Sequence, residues 1–273
     1  MNGYDWDDWE LLGNFQLTYF NLVNFTLAGS YLHSGAFSGS ASSLVGVNIA
    51  KKENVHTDYH QRIRIQNGAF SNLSSLTSIS IGLDVLSIGK QAFYNLPSLK
   101  ILDLKRSTIN GISNEAFCNL PQLTDLDLSN LNLKYIGPDA FHNIPGMKEL
   151  NLKGNDIRTI GEGIISGIPF FVNLDLSGNK KLTNIGTLLE NLSPNISVNL
   201  RETDIKVLPK NSFKIFIENV INSNGLGTIE MPEQTLRCTC DIKWLLDSKI
   251  DITNILRNMS CNDGRKLNQV THL

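Results

Sequence analysis

The chain lacks the features that define several common classes of protein. Its 273 residues include only 4 cysteines, too few for a small disulfide-rich scaffold. The 24 Lys and Arg residues nearly balance 26 Asp and Glu residues, so no basic excess favours nucleic acid or an anionic membrane as partner. No apolar run approaches the ~18 residues of a membrane span. The first ten residues, MNGYDWDDWE, are too polar for a secretory signal. What remains is an ordinary globular composition, 41% hydrophobic and 18% charged.

A repeat of 23 or 24 residues dominates this composition. The segments LTSISI, LKILDL, LTDLDL, MKELNL, FVNLDL and NISVNL begin at Leu76, Leu99, Leu123, Met147, Phe171 and Asn195. A parallel aromatic column consists of Phe70, Phe93, Phe117 and Phe141, and the same spacing leads on to Ile165, Leu189 and Phe213. Because no single unit can bury its own apolar face, such a period predicts units stacked around a continuous core.

The motif L-x-x-L-x-L-x-x-N-x-L resembles that of leucine-rich-repeat proteins, and the period resembles their typical 24-residue extracellular class. The resemblance implies an α/β repeat solenoid, a horseshoe with a parallel β-sheet on the concave face and short helical or irregular convex segments. Two less regular units precede the clear ones, with apolar positions at Leu22, Phe25, Leu27 and Phe37 and at Leu44, Val47, Ile49 and Phe70. We therefore expect a capping segment at 1–19, about eight repeats at 20–230 and a cysteine-containing cap at 231–273.

The asparagine position of the motif is occupied by other residues in most of the repeats. Its position carries Asp84, Ser107, Leu131, Asn155, Asn179 and Thr203. An asparagine there satisfies backbone groups where the chain bends, and Ser, Thr or Asp can do part of this. Leu131 cannot, so we expect the stacking to be least regular between residues 105 and 135.

Three of the four cysteines cluster near the end of the sequence. The spacing of Cys238, Cys240, Trp244 and Cys261 resembles the C-terminal cap of extracellular leucine-rich-repeat proteins, in which a fourth cysteine follows. The resemblance implies a Cys238–Cys261 disulfide. It leaves Cys240 without its partner, so either the sequence is truncated within the cap or its cap departs from the family. A zinc site is the alternative interpretation of C-x-C with a third cysteine.

Two segments outside the regular repeat each allow two interpretations. Trp6 and Trp9 lie near the start, where they predict either a short cap over the first repeat or an exposed aromatic anchor for a partner. The step from one repeat to the next lengthens to 32 residues after Leu44, and the insertion contains His56 and His60 with Asp58 between them. A solvated loop is the preferred interpretation of this insertion, and a metal site is the alternative.

Catalytic motifs are absent from the sequence. It contains no G-x-S-x-G, G-x-x-x-x-G-K-[ST], G-x-G-x-x-G or H-E-x-x-H. Cys118 follows the phenylalanine of its repeat and predicts a small apolar side chain on the convex side, without a base beside it in sequence. We therefore expect a protein that is not an enzyme and has no cofactor and no bound metal.

The concave face is the candidate binding surface. Its solvent-facing positions carry mixed charges and few aromatic residues, which suits a moderate protein interface. The candidate ligand-binding residues are Lys100, Asp103, Lys105, Arg106, Asp125, Asp127, Asn151, Lys153, Asp175, Asn199 and Arg201. The resemblance implies a non-enzymatic, secreted or cell-surface module that binds a protein ligand. The alternative is a non-catalytic scaffold subunit of an extracellular enzyme complex, because CTCDIKWLL is similar to the cap of a luciferase's non-catalytic subunit.

The expected extracellular location depends on the cap cysteines. Five N-x-S/T sequons accompany them, at Asn24, Asn72, Asn191, Asn195 and Asn258, about as many as chance provides in a chain so rich in asparagine. We expect N-glycosylation at these positions only if the protein is secreted.

Overall fold

The structure, a computed structural model, describes residues 16–23, 31–50, 62–105, 107–160, 163–233, 236–238, 242–246 and 252–265. Within them the chain winds into a parallel-stranded solenoid of about eight turns with little helix. This confirms the predicted fold class. The segment with Trp6 and Trp9, the insertion with His56, Asp58 and His60, and Cys240 and Arg106 lie outside the described residues.

The L-x-x-L-x-L segments form the first column of strands. One sheet contains β1 (Tyr19–Val23), β3 (Gly46–Ala50), β6 (Ser78–Gly82) and β9 (Ile101–Asp103). Another contains β12 (Asp125–Asp127), β15 (Glu149–Asn151), β17 (Asn173–Asp175), β18 (Ser197–Asn199), β19 (Thr228–Glu230) and β20 (Leu256–Arg257). Alternate residues such as Leu126 and Leu150 are buried in the core. We call the solvent side of this column the front face; it is the face that the sequence predicts to be concave.

Two further columns of short strands make the rest of each turn. One sheet contains β2 (Tyr31–Leu32), β4 (Arg62–Ile65), β7 (Asp84–Ile88), β10 (Gly111–Ile112) and β13 (Tyr135–Ile136). The other contains β5 (Phe70–Ser71), β8 (Phe93–Tyr94), β11 (Phe117–Cys118), β14 (Phe141–His142) and β16 (Ile165–Ser166). As far as Ser166 the convex segments are therefore more regular than expected, because their backbone groups pair with the next turn: the Phe93 N–H donates to the Ala116 carbonyl at 2.9 Å.

Among the described residues, α-helices occur only towards the end of the solenoid. The α1 helix (Lys210–Asn222) buries Phe213, Phe216, Ile217 and Val220, which lie on one side of a helix because they are three or four residues apart. A second helix, α2 (Lys243–Leu246), follows, and two 3-10 segments cover Ser38–Ser40 and Leu188–Asn191. The α1 insertion explains why the strands β18 and β19 pair with residues 31 apart, Ser197 with Thr228, instead of 24.

The aromatic column is the centre of the core. Phe37, Phe70, Phe93, Phe117 and Phe141 are completely buried and stack with ring centroids 5.2 to 5.4 Å apart and interplanar angles of 5 to 16°. The separation follows from the spacing of neighbouring strands, ~4.8 Å, which puts one ring above the next. The column that the sequence predicted is thus one continuous stack.

The asparagines of the motif bind backbone on two turns at once. The side-chain oxygen of Asn155 accepts the N–H groups of Leu131 and Leu133 at 2.9 and 3.0 Å. Its side-chain nitrogen donates to the carbonyls of Leu128 and Leu152, both at 2.8 Å. Asn155 therefore also serves the turn in which Leu131 replaces asparagine. Among the described residues, no ladder joins β9 to β12, at the irregular region that the sequence indicated.

We expect Asn155→Ala to lower the free energy of unfolding by about 2 kcal/mol. The substitution leaves the N–H groups of Leu131 and Leu133 and the carbonyl of Leu128 to a water that enters the vacated site, whereas the Leu152 carbonyl still accepts from Asn179. Urea denaturation would measure the change. Asn173→Ala is the matched control, since Asn173 lies half-buried on the front face. Equal losses in the two variants would contradict the role given to Asn155.

The cap region closes the solenoid with a disulfide. Cys238 and Cys261 are bonded, with Cα atoms 5.5 Å apart, and both are buried. A disulfide sulfur is not a thiolate ligand, so the structure contradicts the zinc alternative for this pair. The β20 strand adds a last rung to the front column, and Trp244 packs half-buried against the end of the core.

Candidate functional site

The middle of the front face is a column of aspartates and asparagines with a structural role. Asp103, Asp127, Asn151, Asp175 and Asn199 each accept, with Oδ1, the backbone N–H two residues further on, at 2.8 to 3.1 Å. The strand ends need an acceptor at this point. Aspartate and asparagine both supply one, which explains why either residue occurs along the column.

Strand register brings the predicted residues together. Asp127, Asn151, Asp175 and Asn199 occupy equivalent positions on successive strands from β12 to β18. On the same strands, Asp125 pairs with Glu149 two residues before Asp127 and Asn151, and both side chains are exposed. The strands β12, β15, β17 and β18 thus carry several carboxylates and no Lys, Arg or His at the centre of the front face.

The predicted cations lie at the two ends of the strands. Lys100 precedes β9, whereas Lys105, Lys153 and Arg201 follow β9, β15 and β18, and all four are exposed. The front face therefore has an acidic centre with basic margins. Ten of the eleven candidate residues lie in this column of turns, and Arg106 is outside the described part of the chain.

A small cleft at one margin includes residues that the sequence did not indicate. Arg201, Glu202, Thr203, Pro232 and Glu233 line a volume of about 270 Å³, and the Arg201 guanidinium lies 3.3 Å from Glu233 Oε1. The α1 insertion shifts the register before Pro232 and Glu233, so the 24-residue period could not place them opposite Arg201.

A second depression lies on the other side of the solenoid. It has a volume of about 340 Å³, and we call it the side groove; its lining residues are Gln91, Tyr94, Glu115, Cys118, Asn119, Asp139 and His142. Burial raises the pKa of the Cys118 thiol, and the nearby carboxylates of Glu115 and Asp139 raise it further. A protonated thiol is a poor nucleophile, so the groove does not suit thiol catalysis.

The described residues show neither a metal-ligand cluster nor a membrane-spanning helix. In the part of the chain that the structure describes, no three His, Cys, Asp or Glu side chains converge as metal ligands. Over the same ranges, neither helix has the length and apolar character required to cross a bilayer.

Comparisons with known proteins agree with the repeat. Residues 63–188 match the family model described as the BspA type leucine rich repeat region, in 6 copies. No curated protein sequence matches the chain significantly. Human trophoblast glycoprotein is similar in structure, with 18% identity, a TM-score of 0.46, and 85% of this chain and 86% of that chain covered. A chain of the mouse RP105/MD-1 complex is 18% identical, with a TM-score of 0.37, and the match covers 89% of this chain and 44% of that chain. The pneumococcal vaccine antigen PcpA is 14% identical, with a TM-score of 0.25, and the match covers 89% of this chain and 90% of that chain.

Proposed function

We propose that this chain, which is a leucine-rich-repeat protein by its repeats and by the match over residues 63–188, is a non-enzymatic module that binds a protein ligand through the front face. The observation that carries the proposal is the column of front-face side chains whose orientation is fixed by backbone hydrogen bonds. Side chains already held in place lose little conformational freedom on binding, which favours recognition by a broad surface.

The charge pattern of the front face indicates how a partner would be oriented. A carboxylate centre between basic margins favours a ligand with cationic side chains at its centre and acidic ones at its edges. Ile101, 60% exposed on β9, adds an apolar contact next to Asp103 and Lys105. Charge complementarity of this kind chiefly affects the association rate and the choice of partner.

The binding test uses a substitution that the repeat itself suggests. The triple variant Asp103→Asn, Asp127→Asn and Asp175→Asn keeps the strand-end hydrogen bonds, because asparagine already makes them at Asn151 and Asn199. We expect an unchanged fold and an affinity at least about tenfold weaker for the protein partner captured from the source's extracellular fraction, measured by biolayer interferometry.

Glu218→Gln is the matched control, since this half-exposed carboxylate lies on α1, away from the front face. Equal affinity of the triple variant and the wild type would refute the front-face assignment. Co-purification with an enzyme whose activity requires the chain would instead favour the scaffold-subunit alternative.

We also propose that the protein is secreted or displayed on the cell surface. The buried Cys238–Cys261 disulfide supports this, because such bonds persist in oxidising compartments. The exposed sequon asparagines Asn72, Asn191, Asn195 and Asn258 would then be acceptors for N-linked glycans. Non-reducing mass spectrometry of protein from its native source should yield the linked peptides, whereas free thiols at both cysteines would refute the proposal.

A further inference from the structure

The side groove exists because a small side chain lies between two rings. Strand register places Tyr94, Cys118 and His142 side by side on the solvent side of β8, β11 and β14. Neighbouring strands are ~4.8 Å apart, so the rings of Tyr94 and His142 are about two strand spacings from each other. Cys118 is only 5% exposed and forms the floor between them. The raised pKa of its thiol keeps this floor uncharged.

The rim of the groove is built from polar residues in an unfavourable backbone conformation. Gln91, Glu115 and Asp139 have φ values of 52, 54 and 50° at the turn before each phenylalanine. The equivalent turns on either side carry Gly68 and Gly163, at 63 and 61°. Glycine adopts this left-handed conformation without steric cost, whereas a residue with a side chain adopts it at a steric cost. At this turn position, polar side chains thus replace glycine in the three turns that border the groove; the left-handed conformation itself also recurs elsewhere, for example at Asn130 and Glu202.

Hydrogen bonds within the rim hold its side chains in place. The Gln91 amide donates to Glu115 Oε2 at 2.7 Å, and the Lys90 ammonium lies 3.5 Å from the other oxygen. Ser166 Oγ donates to Asp139 Oδ1 at 3.0 Å and lies 2.7 Å from Nδ1 of His142. Since the serine proton goes to Asp139, His142 Nδ1 donates to Ser166 Oγ in this network, and the imidazole presents its other nitrogen to the groove.

Several polar atoms of these fixed side chains remain available. Within the described residues, no partner is seen for Tyr94 Oη, Asn119 Nδ2, Asp139 Oδ2 or His142 Nε2. The Asn119 nitrogen is a donor, Asp139 Oδ2 and His142 Nε2 are acceptors, and the Tyr94 hydroxyl can be either. The phenol ring of Tyr94 adds a flat apolar surface beside them.

This combination fits a neutral polyhydroxyl ring better than a charged ligand. Sugar hydroxyls donate and accept at neighbouring positions, as the groove does, and the C–H face of a sugar can pack on Tyr94. A cation would find Glu115 already beside Lys90, and an anion would meet two carboxylates. We propose that the side groove binds a neutral saccharide, with Tyr94 against the ring and Asn119, Asp139 and His142 hydrogen-bonding its hydroxyls. This site lies on a different surface from the front face and does not depend on the proposed function.

The test is saturation-transfer difference NMR with a panel of neutral methyl glycosides: those of glucose, galactose, mannose, fucose, xylose and N-acetylglucosamine. The groove is shallow and of the size of small ligand pockets, ~300 Å³, so we expect a dissociation constant in the millimolar range for at least one of them. Tyr94→Ala should weaken that binding about tenfold, and Asp139→Asn should weaken it as well.

Tyr135→Ala is the matched control, because Tyr135 is also a half-exposed tyrosine on a convex strand but does not line the groove. It should leave binding unchanged. Methylammonium and acetate serve as the charged probes. The proposal is overturned if no glycoside binds at about 20 mM, well above the expected constant, if only a charged probe binds, or if Tyr94→Ala and Tyr135→Ala behave alike. The fold of each variant is checked by its amide NMR spectrum, and a misfolded Tyr94→Ala is replaced by Tyr94→Leu.

Discussion

Phe117→Ala is expected to lower the free energy of unfolding by about 4 kcal/mol, because it removes a completely buried ring from the middle of the aromatic stack. The ring of Phe117 lies 5.2 Å from that of Phe93 and 5.3 Å from that of Phe141, so the deletion exposes the faces of two neighbours to a cavity. In a solenoid each turn contacts only the turns beside it, and the loss should therefore uncouple the two halves of the chain.

Phe170→Ala is the matched control for this prediction. It deletes the same side chain from a position that is 70% exposed, and its expected effect is within about 0.5 kcal/mol. Equilibrium unfolding in urea, followed by tryptophan fluorescence and by circular dichroism, would measure both variants. A broadened or two-step transition in Phe117→Ala alone would show uncoupling of the halves. A loss as small as that of Phe170→Ala would contradict the idea that the stack holds the turns together.

The sequence predicted those parts of the fold that depend on one residue type recurring at one spacing. The front strands and the aromatic column are of this kind, because a buried leucine or phenylalanine is required at every turn. Apart from β4 and β7, the strands of the second and third columns, such as β10 (Gly111–Ile112) and β11 (Phe117–Cys118), contain only two residues. Two residues cannot show an alternation, so their pairing was visible only in the structure.

For the candidate front-face residues, the sequence predicted which strands carry them but not the contacts that they make. The sequence placed Asp127 and Asn151 on one face. The hydrogen bond of the same kind that each makes, which explains why either residue type is found there, became visible only with the strand-end geometry. The side groove had a signal that was available: Tyr94, Cys118 and His142 each follow a phenylalanine of the aromatic column. In a strand, successive side chains point to opposite sides, so these three had to share one row on the side away from the aromatic column. The left-handed turns of the rim had no comparable signal, because glutamine, glutamate and aspartate rarely adopt them.

Removing the disulfide with Cys238→Ala and Cys261→Ala is expected to destabilise the cap by about 3 kcal/mol, the value for a loop closed between residues 23 apart. Because interactions along a solenoid are local, the effect should be concentrated at its end. Amide hydrogen exchange is the suitable measurement, with faster exchange at Ile229 and Met231, which donate to the carbonyls of Ile255 and Arg257. Exchange at Phe93, deep within the stack, should not change.

Cys118→Ala supplies the control for this experiment, since Cys118 is a buried free thiol in the third strand column. A reducing agent should accelerate exchange at Ile229 in the wild type and in Cys118→Ala, but should have no further effect on the double variant. If reduction leaves the wild type unchanged, the bond contributes nothing to the cap, and burial of Trp244 and Leu245 against the last turn must hold it instead. If exchange accelerates equally at Phe93, the solenoid unfolds as one unit. The Phe117→Ala transition would then also remain single, so the two experiments test the same local coupling from the end and from the middle of the chain.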